Sequence, residues 1–329
     1  MNTVLIYTAY PEEYQKKIED AFALSGYKVV SIKPNKDTST IEKAISTLQE
    51  ASVAILGAGL PVLELEKAPN LKWVHYDWVG IEGGLSKTLF EKGIIVTNGS
   101  GRNSICLSEH VFYFIFTLSY DSRAIFSASD KHQWGVERTQ PYTSLFQKNM
   151  LIVGTGSIGQ EIAKRAKAFG MNVFGFSRTK KYLDMFDELY CIEEGTSLSD
   201  IVSKADFLVL ATGLNADSYH LVNMNLMKKM KPTAFIINIC RGSVIDEKDL
   251  IEALKTDIIA GAGCDTFEKE PLSAESELYD LKNMVITPHS TPQSPLKFEI
   301  GTNTIIENIG KLAKGERLIN QQSIKDILK

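Results

Sequence analysis

The stretch Leu151-Ile-Val-Gly-Thr-Gly-Ser-Ile-Gly159 decides the fold. Its apolar start predicts a strand, and the residues after it carry apolar side chains at helical spacing, so the three glycines lie between a strand and a helix. Gly154 permits a tight turn, Gly156 leaves the backbone open to a pyrophosphate, and Gly159 lets helix and strand pack closely. We therefore expect a Rossmann unit that binds the phosphates of a dinucleotide at the helix N-terminus.

The end of the second strand of this unit, predicted over 171–176, indicates which dinucleotide binds. A carboxylate at this position usually holds the ribose of NAD, but here the sequence continues Ser177-Arg-Thr-Lys-Lys181 and offers none. Arg178 has a planar donor fork suited to a 2′-phosphate. We expect NADP as the preferred cofactor and NAD as the other candidate. The alternative interpretation is an ordinary solvated basic turn.

The composition limits the class of protein. The 329 residues exceed a single compact core of typical size, and 44% hydrophobic and 23% charged residues are ordinary globular values. A net charge of −4 gives no footprint for nucleic acid. The four cysteines form no CxxC pair and no metal-like spacing with the histidines, so we expect buried thiols and no metal site. The sequence has no signal-peptide pattern, and its longest apolar run, 111–116, is too short for a membrane, so we expect a cytoplasmic protein.

Short apolar runs alternate with amphipathic ones along the chain, which is typical of parallel sheets covered by helices. In the first hundred residues the pattern predicts strands over 3–7, 28–32, 53–56, 72–75 and 94–97, with helices over 11–24, 40–50 and 85–92. A second series of strands is predicted over 150–153, 172–176, 207–211, 234–239, 258–261 and 285–287.

Two long apolar helices, predicted over 105–120 and 296–312, join the two series. We predict a discontinuous, flavodoxin-like substrate-binding domain over 1–101 and 291–329, into which a Rossmann domain over 102–290 is inserted. The stretch 130–149, with Trp134, Pro141 and Tyr142, reads as a loop or arm. We expect a homodimer with helix 105–120 and this arm at its surface.

The chain resembles the D-isomer-specific 2-hydroxyacid dehydrogenases over nearly its whole length. Several spaced motifs in the right order carry the resemblance, and together they are far more specific than one glycine motif. The motifs are Gly93-Ile-Ile-Val-Thr-Asn98, Ser108-Glu-His110, Gly154 to Gly159, Asn238-Ile-Cys-Arg-Gly-Ser-Val-Ile-Asp246, Gly261-Ala-Gly-Cys-Asp-Thr-Phe-Glu-Lys-Glu-Pro271, and Asn283 to His289.

The resemblance implies hydride transfer between a nicotinamide cofactor and a 2-oxo acid, with Arg241, Glu270 and His289 as the catalytic set. It also implies that Asp265 lies beside the nicotinamide ring and that backbone amides of residues 79–80 meet the substrate carboxylate. The expected substrate contacts are Val79, Gly80, Arg241 and His289. The expected cofactor contacts are Gly154, Gly156, Ser157, Ile158, Gly159, Ser177, Arg178, Thr179, Thr212, Gly213, Cys240, Arg241, Asp265 and His289.

These residue types suit the chemistry. At the carboxyl end of a predicted strand, the planar fork of Arg241 can bind a carboxylate and polarise the neighbouring carbonyl. Histidine changes its charge near neutral pH, so His289 can give the carbonyl oxygen its proton during reduction and take it back during oxidation. A neighbouring Glu270 would favour the imidazolium and orient the ring. Glu268 is the alternative partner, and we prefer Glu270 because it directly precedes Pro271, as in the family.

Three departures from the family pattern concern the substrate pocket. Gly213 stands where many relatives have proline, Ser290-Thr-Pro-Gln293 replaces a run of small residues, and Trp78 is bulkier than expected. The missing acid after the second strand is similar to the glyoxylate and hydroxypyruvate reductases of the family, which often prefer NADP. The bulky Trp78 favours a small 2-oxo acid, which we expect to be reduced to the D-2-hydroxy acid. Stacking of the Trp78 ring on a large apolar substrate is the alternative.

Two other classes of dinucleotide-binding protein are alternatives to a 2-hydroxyacid dehydrogenase. A short-chain dehydrogenase needs a Tyr-x-x-x-Lys pair, and no tyrosine of this chain is followed by lysine four positions later. A dinucleotide-sensing interaction protein, similar to the corepressors that share this fold, is the remaining alternative. Turnover of any 2-oxo acid distinguishes the enzyme from the sensor.

Overall fold

The computed structural model describes residues 2–136, 143–291, 293–324 and 327. They form two compact units, Met1–Asn103 with Ser294–Lys329, and Ser104–Gln293. Each unit contains one parallel β-sheet with interleaved helices, so the predicted α/β class with two doubly wound sheets is confirmed. Pro141, Tyr142 and Pro292 lie outside the described residues. In the part of the chain that is described, no helix is long and apolar enough to cross a membrane.

The first unit is built on five parallel strands. They are β1 (Thr3–Tyr7), β2 (Lys28–Ile32), β3 (Ala51–Leu56), β4 (Trp73–Tyr76) and β5 (Ile95–Asn98), in the flavodoxin-like order β2-β1-β3-β4-β5. All five residues of β1 are buried, with Leu5 and Tyr7 in the core on one face of the sheet and Val4 and Ile6 in the core on the other. Burial on both faces explains why the strand is a continuous apolar run.

Four helices follow the strands of this unit. They are α1 (Glu12–Leu24), α2 (Thr38–Glu50), α3 (Val62–Lys67) and α4 (Lys87–Glu91). α1 buries Ile18 and Phe22, four positions apart, and α2 buries Ala44 and Leu48 at the same spacing. The sequence did not predict α3, because six residues are too few to show a helical period, and the buried Leu65 anchors that helix to the core.

The second unit is built on seven parallel strands. They are β6 (Asn149–Val153), β7 (Asn172–Ser177), β8 (Glu188–Cys191), β9 (Phe207–Leu210), β10 (Phe235–Asn238), β11 (Gly261–Cys264) and β12 (Met284–Ile286). Their order is β12-β11-β10-β9-β6-β7-β8, and the strand that ends at the first glycine of the fingerprint is β6, at the centre. The order reverses beside β6, which is the switch point where doubly wound sheets bind ligands.

One predicted strand is wrong and another was not predicted. The strand predicted over 258–261 in fact spans Gly261–Cys264. Gly261 pairs with Phe235 of β10, and Ala262 pairs with Met284 of β12. Ile259 precedes that strand and is fully buried in the core, which accounts for its apolar character. β8 escaped prediction because it is a short, partly polar strand at the sheet edge.

The helices of the second unit cover both faces of its sheet. They are α5 (Ser104–Ser119), α6 (Ser122–Asp130), α7 (Ser157–Ala168), α8 (Leu198–Ile201), α9 (Met224–Met227) and α10 (Glu247–Lys255). The last helix, α11 (Leu296–Lys314), belongs to the first unit, where it packs against α1. There the ring of Phe298 lies 5.2 Å from that of Tyr10, centroid to centroid.

Candidate active site

The glycine fingerprint adopts the geometry that its sequence predicts. Gly154 has φ +102°, and a Cβ atom there would lie 2.4 Å from the carbonyl oxygen of Ala211. A Cβ atom on Gly159 would lie 2.1 Å from the oxygen of Gly154, whereas one on Gly156 would meet no atom within 4 Å. Gly156 is the N-cap of α7 and offers no side-chain cap, so the first amides of the helix are left for a ligand. These residues fit the pyrophosphate of a dinucleotide.

The turn after β7 is more acidic than its own sequence suggested. Ser177 Oγ donates to the Thr179 oxygen at 2.8 Å, and Arg178 is exposed and makes no ion pair in the described part of the chain. Glu193 accepts a bond from the Lys180 amide at 3.1 Å, and Glu194 forms an ion pair with the Lys180 ammonium. The segment after β8 therefore brings two carboxylates to this turn, both bound to Lys180, which the sequence of the turn alone does not show.

Arg241 lies three residues beyond the end of β10, and its backbone is held by hydrogen bonds and a close backbone contact. The buried Asn238 donates through Nδ2 to the Arg241 oxygen at 3.0 Å and accepts the amide of Cys240 at 3.1 Å. A Cβ atom on Gly242 would lie only 1.8 Å from the carbonyl carbon of Phe267, so the two segments touch backbone to backbone. This close approach joins the segment that carries Arg241 to the segment after β11.

Glu270 and His289 form a pair. The Nδ1 atom of His289 lies 2.7 Å from Oε2 of Glu270, while Oε1 of the same carboxylate accepts the amide of Phe267 at 3.0 Å. His289 comes shortly after β12, with φ +50°, and its side chain is 53% exposed. Because the carboxylate occupies Nδ1, the other ring nitrogen, Nε2, is the atom available for exchanging a proton.

Glu268, the alternative partner, lies in a different cluster. Its Oε1 atom is 2.7 Å from Nε2 of His220 and accepts the amide of Glu247 at 3.2 Å. His220 is also 3.3 Å from a carboxylate oxygen of Asp246. The structure therefore brings Glu270, and not Glu268, to His289.

The remaining expected cofactor contacts lie beyond the ends of β9 and β10. Thr212 and Gly213 follow β9, and the Gly213 oxygen accepts the Ser218 hydroxyl at 2.8 Å. Cys240 is buried, and burial raises the pKa of its thiol to about 11. Ser157 is exposed and Ile158 is half-buried at the start of α7.

Among the described residues, no group of three or more His, Cys, Asp or Glu side chains is arranged to hold a metal.

The sequence model of the NAD binding domain of D-isomer specific 2-hydroxyacid dehydrogenases matches residues 112–291, more than half of the chain. The chain belongs to the D-isomer-specific 2-hydroxyacid dehydrogenases. It is an NAD(P)-dependent dehydrogenase, which its similarity to a glyoxylate reductase and to a glyoxylate/hydroxypyruvate reductase also supports.

Relatives of this dehydrogenase include the glyoxylate reductase of Pyrococcus furiosus, which is 32% identical over 332 residues, 98% of this chain and 96% of that protein. The NADPH-dependent glyoxylate/hydroxypyruvate reductase of Sinorhizobium meliloti, solved with NADP and sulfate, has a TM-score of 0.75 at 25% identity and covers 99% of this chain and 100% of its own. An acyclic imino acid reductase solved with NADPH and D-Arg has a TM-score of 0.78 at 25% identity, over 97% and 100% of the two chains.

The dehydrogenase holds its histidine through a network that the sequence analysis missed. The buried carboxylate of Asp265 accepts the hydroxyls of Thr287 at 2.5 Å and Thr291 at 2.8 Å, and the amide of Ser290 at 2.9 Å. These donors stand on both sides of His289 in the chain, so Asp265 fixes the conformation of the whole segment.

His110 completes this network from α5. Its Nε2 atom lies 3.0 Å from the Thr287 hydroxyl, which itself donates to Asp265. Burial lowers the pKa of His110, although the nearby Asp265 carboxylate opposes that shift. The Ser108-Glu-His110 motif was the signal for this residue, but a motif alone does not tell which side chain a histidine will meet.

Val79 and Gly80 lie in the first unit, directly beyond β4. Both residues are half-buried. The Val79 oxygen accepts a bond from the Asn98 side chain at 2.7 Å, which ties the segment to the end of β5 in this dehydrogenase.

Proposed function

We propose that this dehydrogenase reduces a small 2-oxo acid to the D-2-hydroxy acid, with glyoxylate and hydroxypyruvate as the first candidates. The observation that carries the proposal is the 2.7 Å contact between His289 and Glu270. A histidine held by a carboxylate through one nitrogen is suited to passing a proton through the other. The glyoxylate reductase of Pyrococcus furiosus and the glyoxylate/hydroxypyruvate reductase of Sinorhizobium meliloti support the choice of substrates.

Each residue has a distinct part in the proposed reaction. A reduced nicotinamide cofactor, when bound, would supply a hydride to the keto carbon of the substrate. Arg241 binds the carboxylate of the 2-oxo acid and polarises its carbonyl, since a guanidinium is a permanent, planar double donor. His289 gives its Nε2 proton to the carbonyl oxygen, and Glu270 orients the ring through its Nδ1 atom. We assign the amides of Val79 and Gly80 to the same carboxylate, following the family resemblance.

We further propose that the cofactor is preferentially NADP. The exposed Arg178 supports this preference, because its fork is not engaged in an ion pair among the described residues and suits a 2′-phosphate. Glu193 and Glu194 do not contradict it, because both already bind Lys180 of the same turn. Replacing Arg178 with serine should weaken NADPH binding by about 10-fold or more and leave NADH binding within about twofold, since a charged phosphate contact contributes about 1.5–3 kcal/mol. Equal weakening of both cofactors would contradict the assignment.

The experiment that tests the reaction follows the oxidation of NADPH, and separately of NADH, with glyoxylate, hydroxypyruvate, pyruvate and phenylpyruvate. We expect turnover with the two smallest polar substrates. His289→Ala should lower kcat by a factor of about 10² to 10⁴ and leave NADPH binding unchanged, because only the proton donor is removed. No oxidation with any of these acids, despite NADPH binding, would reject the proposed reduction and favour the sensing role.

We also propose a homodimer of cytoplasmic chains, with 1–101 and 291–329 as the substrate domain and 102–290 as the cofactor domain. Exposed aromatic rings support the dimer: Phe126 is 66% and Trp134 fully exposed. Four unpaired, buried cysteines support the reducing compartment. Light scattering during gel filtration should give twice the mass of one chain, and Phe126→Ser with Trp134→Ser should shift it toward the monomer. A monomeric wild-type protein would rule out the dimer.

A further inference from the structure

The carbonyl groups of the segment that follows β4 are all hydrogen-bonded to one neighbouring segment. The carbonyl oxygens of residues 77–79 all accept hydrogen bonds from the segment 98–102. Arg102 Nη1 donates to the first oxygen, the Gly99 amide to the second at 3.0 Å, and the Asn98 side chain to the third at 2.7 Å. Three separate donors therefore fix three successive peptide groups.

The orientation of these peptide groups determines where their amides point. In a trans peptide the N–H lies opposite the C=O, and the only cis bond among the described residues joins Glu270 to Pro271, so the peptide groups after β4 are trans. The amides of Trp78, Val79 and Gly80 must therefore point away from the segment 98–102. None of these three amides donates to another group in the described part of the chain. Successive free amides of this kind form a site for an anion.

A buried ion pair removes an obstacle to anion binding at this place. The Asp77 carboxylate is only 5% exposed and would repel a second carboxylate if it stood alone. Arg102, itself 10% exposed, forms an ion pair with it, and the Tyr10 hydroxyl donates to it at 2.5 Å. Burial raises the pKa of Asp77, while the guanidinium of Arg102 opposes that shift. The guanidinium thus both neutralises the acid and holds its carbonyl group.

The segment that supplies the three donors is fixed in turn. Asn320 donates through Nδ2 to the oxygens of Asn98 at 3.2 Å and Ser100 at 2.8 Å. The Gln322 amide donates to the Val96 oxygen at 2.8 Å, which continues the pairing along β5. The amides beyond β4 are therefore oriented by a framework that is complete within the first unit.

We propose that Asn98 and Arg102 are positioning residues, which together with the Gly99 amide hold the amides of Trp78, Val79 and Gly80 as a three-donor site for the substrate carboxylate. The inference rests on the proposed reduction of a 2-oxo acid and extends it. It adds the Trp78 amide to the carboxylate site. It assigns the orientation of the Trp78 and Gly80 amides to the side chains of Arg102 and Asn98, which touch no substrate, and that of the Val79 amide to the Gly99 backbone between them.

The test compares Asn98→Ala and Arg102→Lys with a matched control, Ser52→Ala. Arg102→Lys keeps the charge opposite Asp77 but loses the planar fork. Ser52 is also buried in the first unit and donates to the Thr3 oxygen at 3.2 Å, but at the opposite, amino end of the sheet. For each variant, kcat and KM for glyoxylate, the Kd of NADPH, and the Kd of oxamate in the presence of NADPH would be measured.

We expect Asn98→Ala and Arg102→Lys to raise the glyoxylate KM and the oxamate Kd by about 10-fold, as the loss of one hydrogen bond to a charged ligand would. The kcat value and the NADPH Kd should stay within about twofold of wild type, and Ser52→Ala should change neither KM nor the oxamate Kd. Equal changes in the control, or unchanged oxamate binding in both variants, would overturn the inference, as would a wild-type protein that binds no oxamate. If wild type binds oxamate but reduces no 2-oxo acid, the proposed reaction fails while the oxamate comparison still decides the positioning role.

Discussion

Two glycines of the fingerprint, three positions apart, should fail in opposite ways when each is replaced by alanine. A Cβ atom on Gly159 would lie 2.1 Å from the Gly154 oxygen, so the backbone must move by about 1 Å to restore an ordinary contact. Overpacking of this kind costs about 1–3 kcal/mol. For a unit of this size each kcal/mol lowers Tm by about 2–4 °C, so Gly159→Ala should lower Tm by about 2–12 °C.

Gly156→Ala should leave folding intact and impair the cofactor. Its φ of −78° and ψ of −165° are accessible to alanine, and the new Cβ atom would meet no protein atom within 4 Å. The unfolding free energy should therefore change by less than about 1 kcal/mol. The methyl group would instead occupy the place of the pyrophosphate, and a clash of about 3 kcal/mol weakens NADPH binding about 100-fold.

Circular dichroism melts without nucleotide and calorimetric titration with NADPH separate the two effects. An equal loss of thermal stability in Gly156→Ala and Gly159→Ala would contradict the predicted difference between the two glycines. NADPH binding by Gly156→Ala as tight as by wild type would show that the backbone at that glycine does not approach the phosphates.

Three further predictions follow from buried and paired groups. Glu270→Gln should lower kcat by about 10-fold or more, because the carboxylate of Glu270 contacts His289. Glu268→Gln should leave kcat within about twofold, because Glu268 contacts His220 instead. Equal losses of kcat in steady-state assays would contradict this assignment. Burial lowers the pKa of His75 to about 3 from an ordinary 6.5, so as the pH falls the unfolded chain is protonated at His75 before the folded chain is. The contribution of His75 to the free energy of unfolding is therefore fully present above pH 6.5. It should fall by about 2 kcal/mol at pH 5, as measured by urea titrations. His75→Gln should remove that share of the pH dependence, and an unchanged dependence would exclude His75 as its source. Because burial raises the pKa of Cys240 to about 11, this thiol should not react with a disulfide reagent at pH 8 until the protein unfolds, and rapid labelling of the native protein would show that the site is open.

The local order of apolar runs was sufficient to predict most strands, because a strand buried on both faces is a continuous apolar run. The end residues of β1 and β2 were predicted from this pattern alone. The prediction failed over 258–261, where Ile259 is buried and Ile258 partly buried without being part of a strand. Apolar character reports burial, and strand pairing with β10 and β12 decides which residues hydrogen-bond.

The sequence by itself determined the dinucleotide fold and pointed to His289 as the residue expected to exchange a proton, because short glycine spacings and ordered motifs leave few arrangements. Only the tertiary structure decided between Glu268 and Glu270, since two positions along a loop do not show which carboxylate reaches His289. Only the tertiary structure brought Glu193 and Glu194 to the turn after β7, and Asn98 and Arg102 to the carbonyls beyond β4. These contacts join residues that are distant in the chain, and their geometry is set by how whole strands and loops pack.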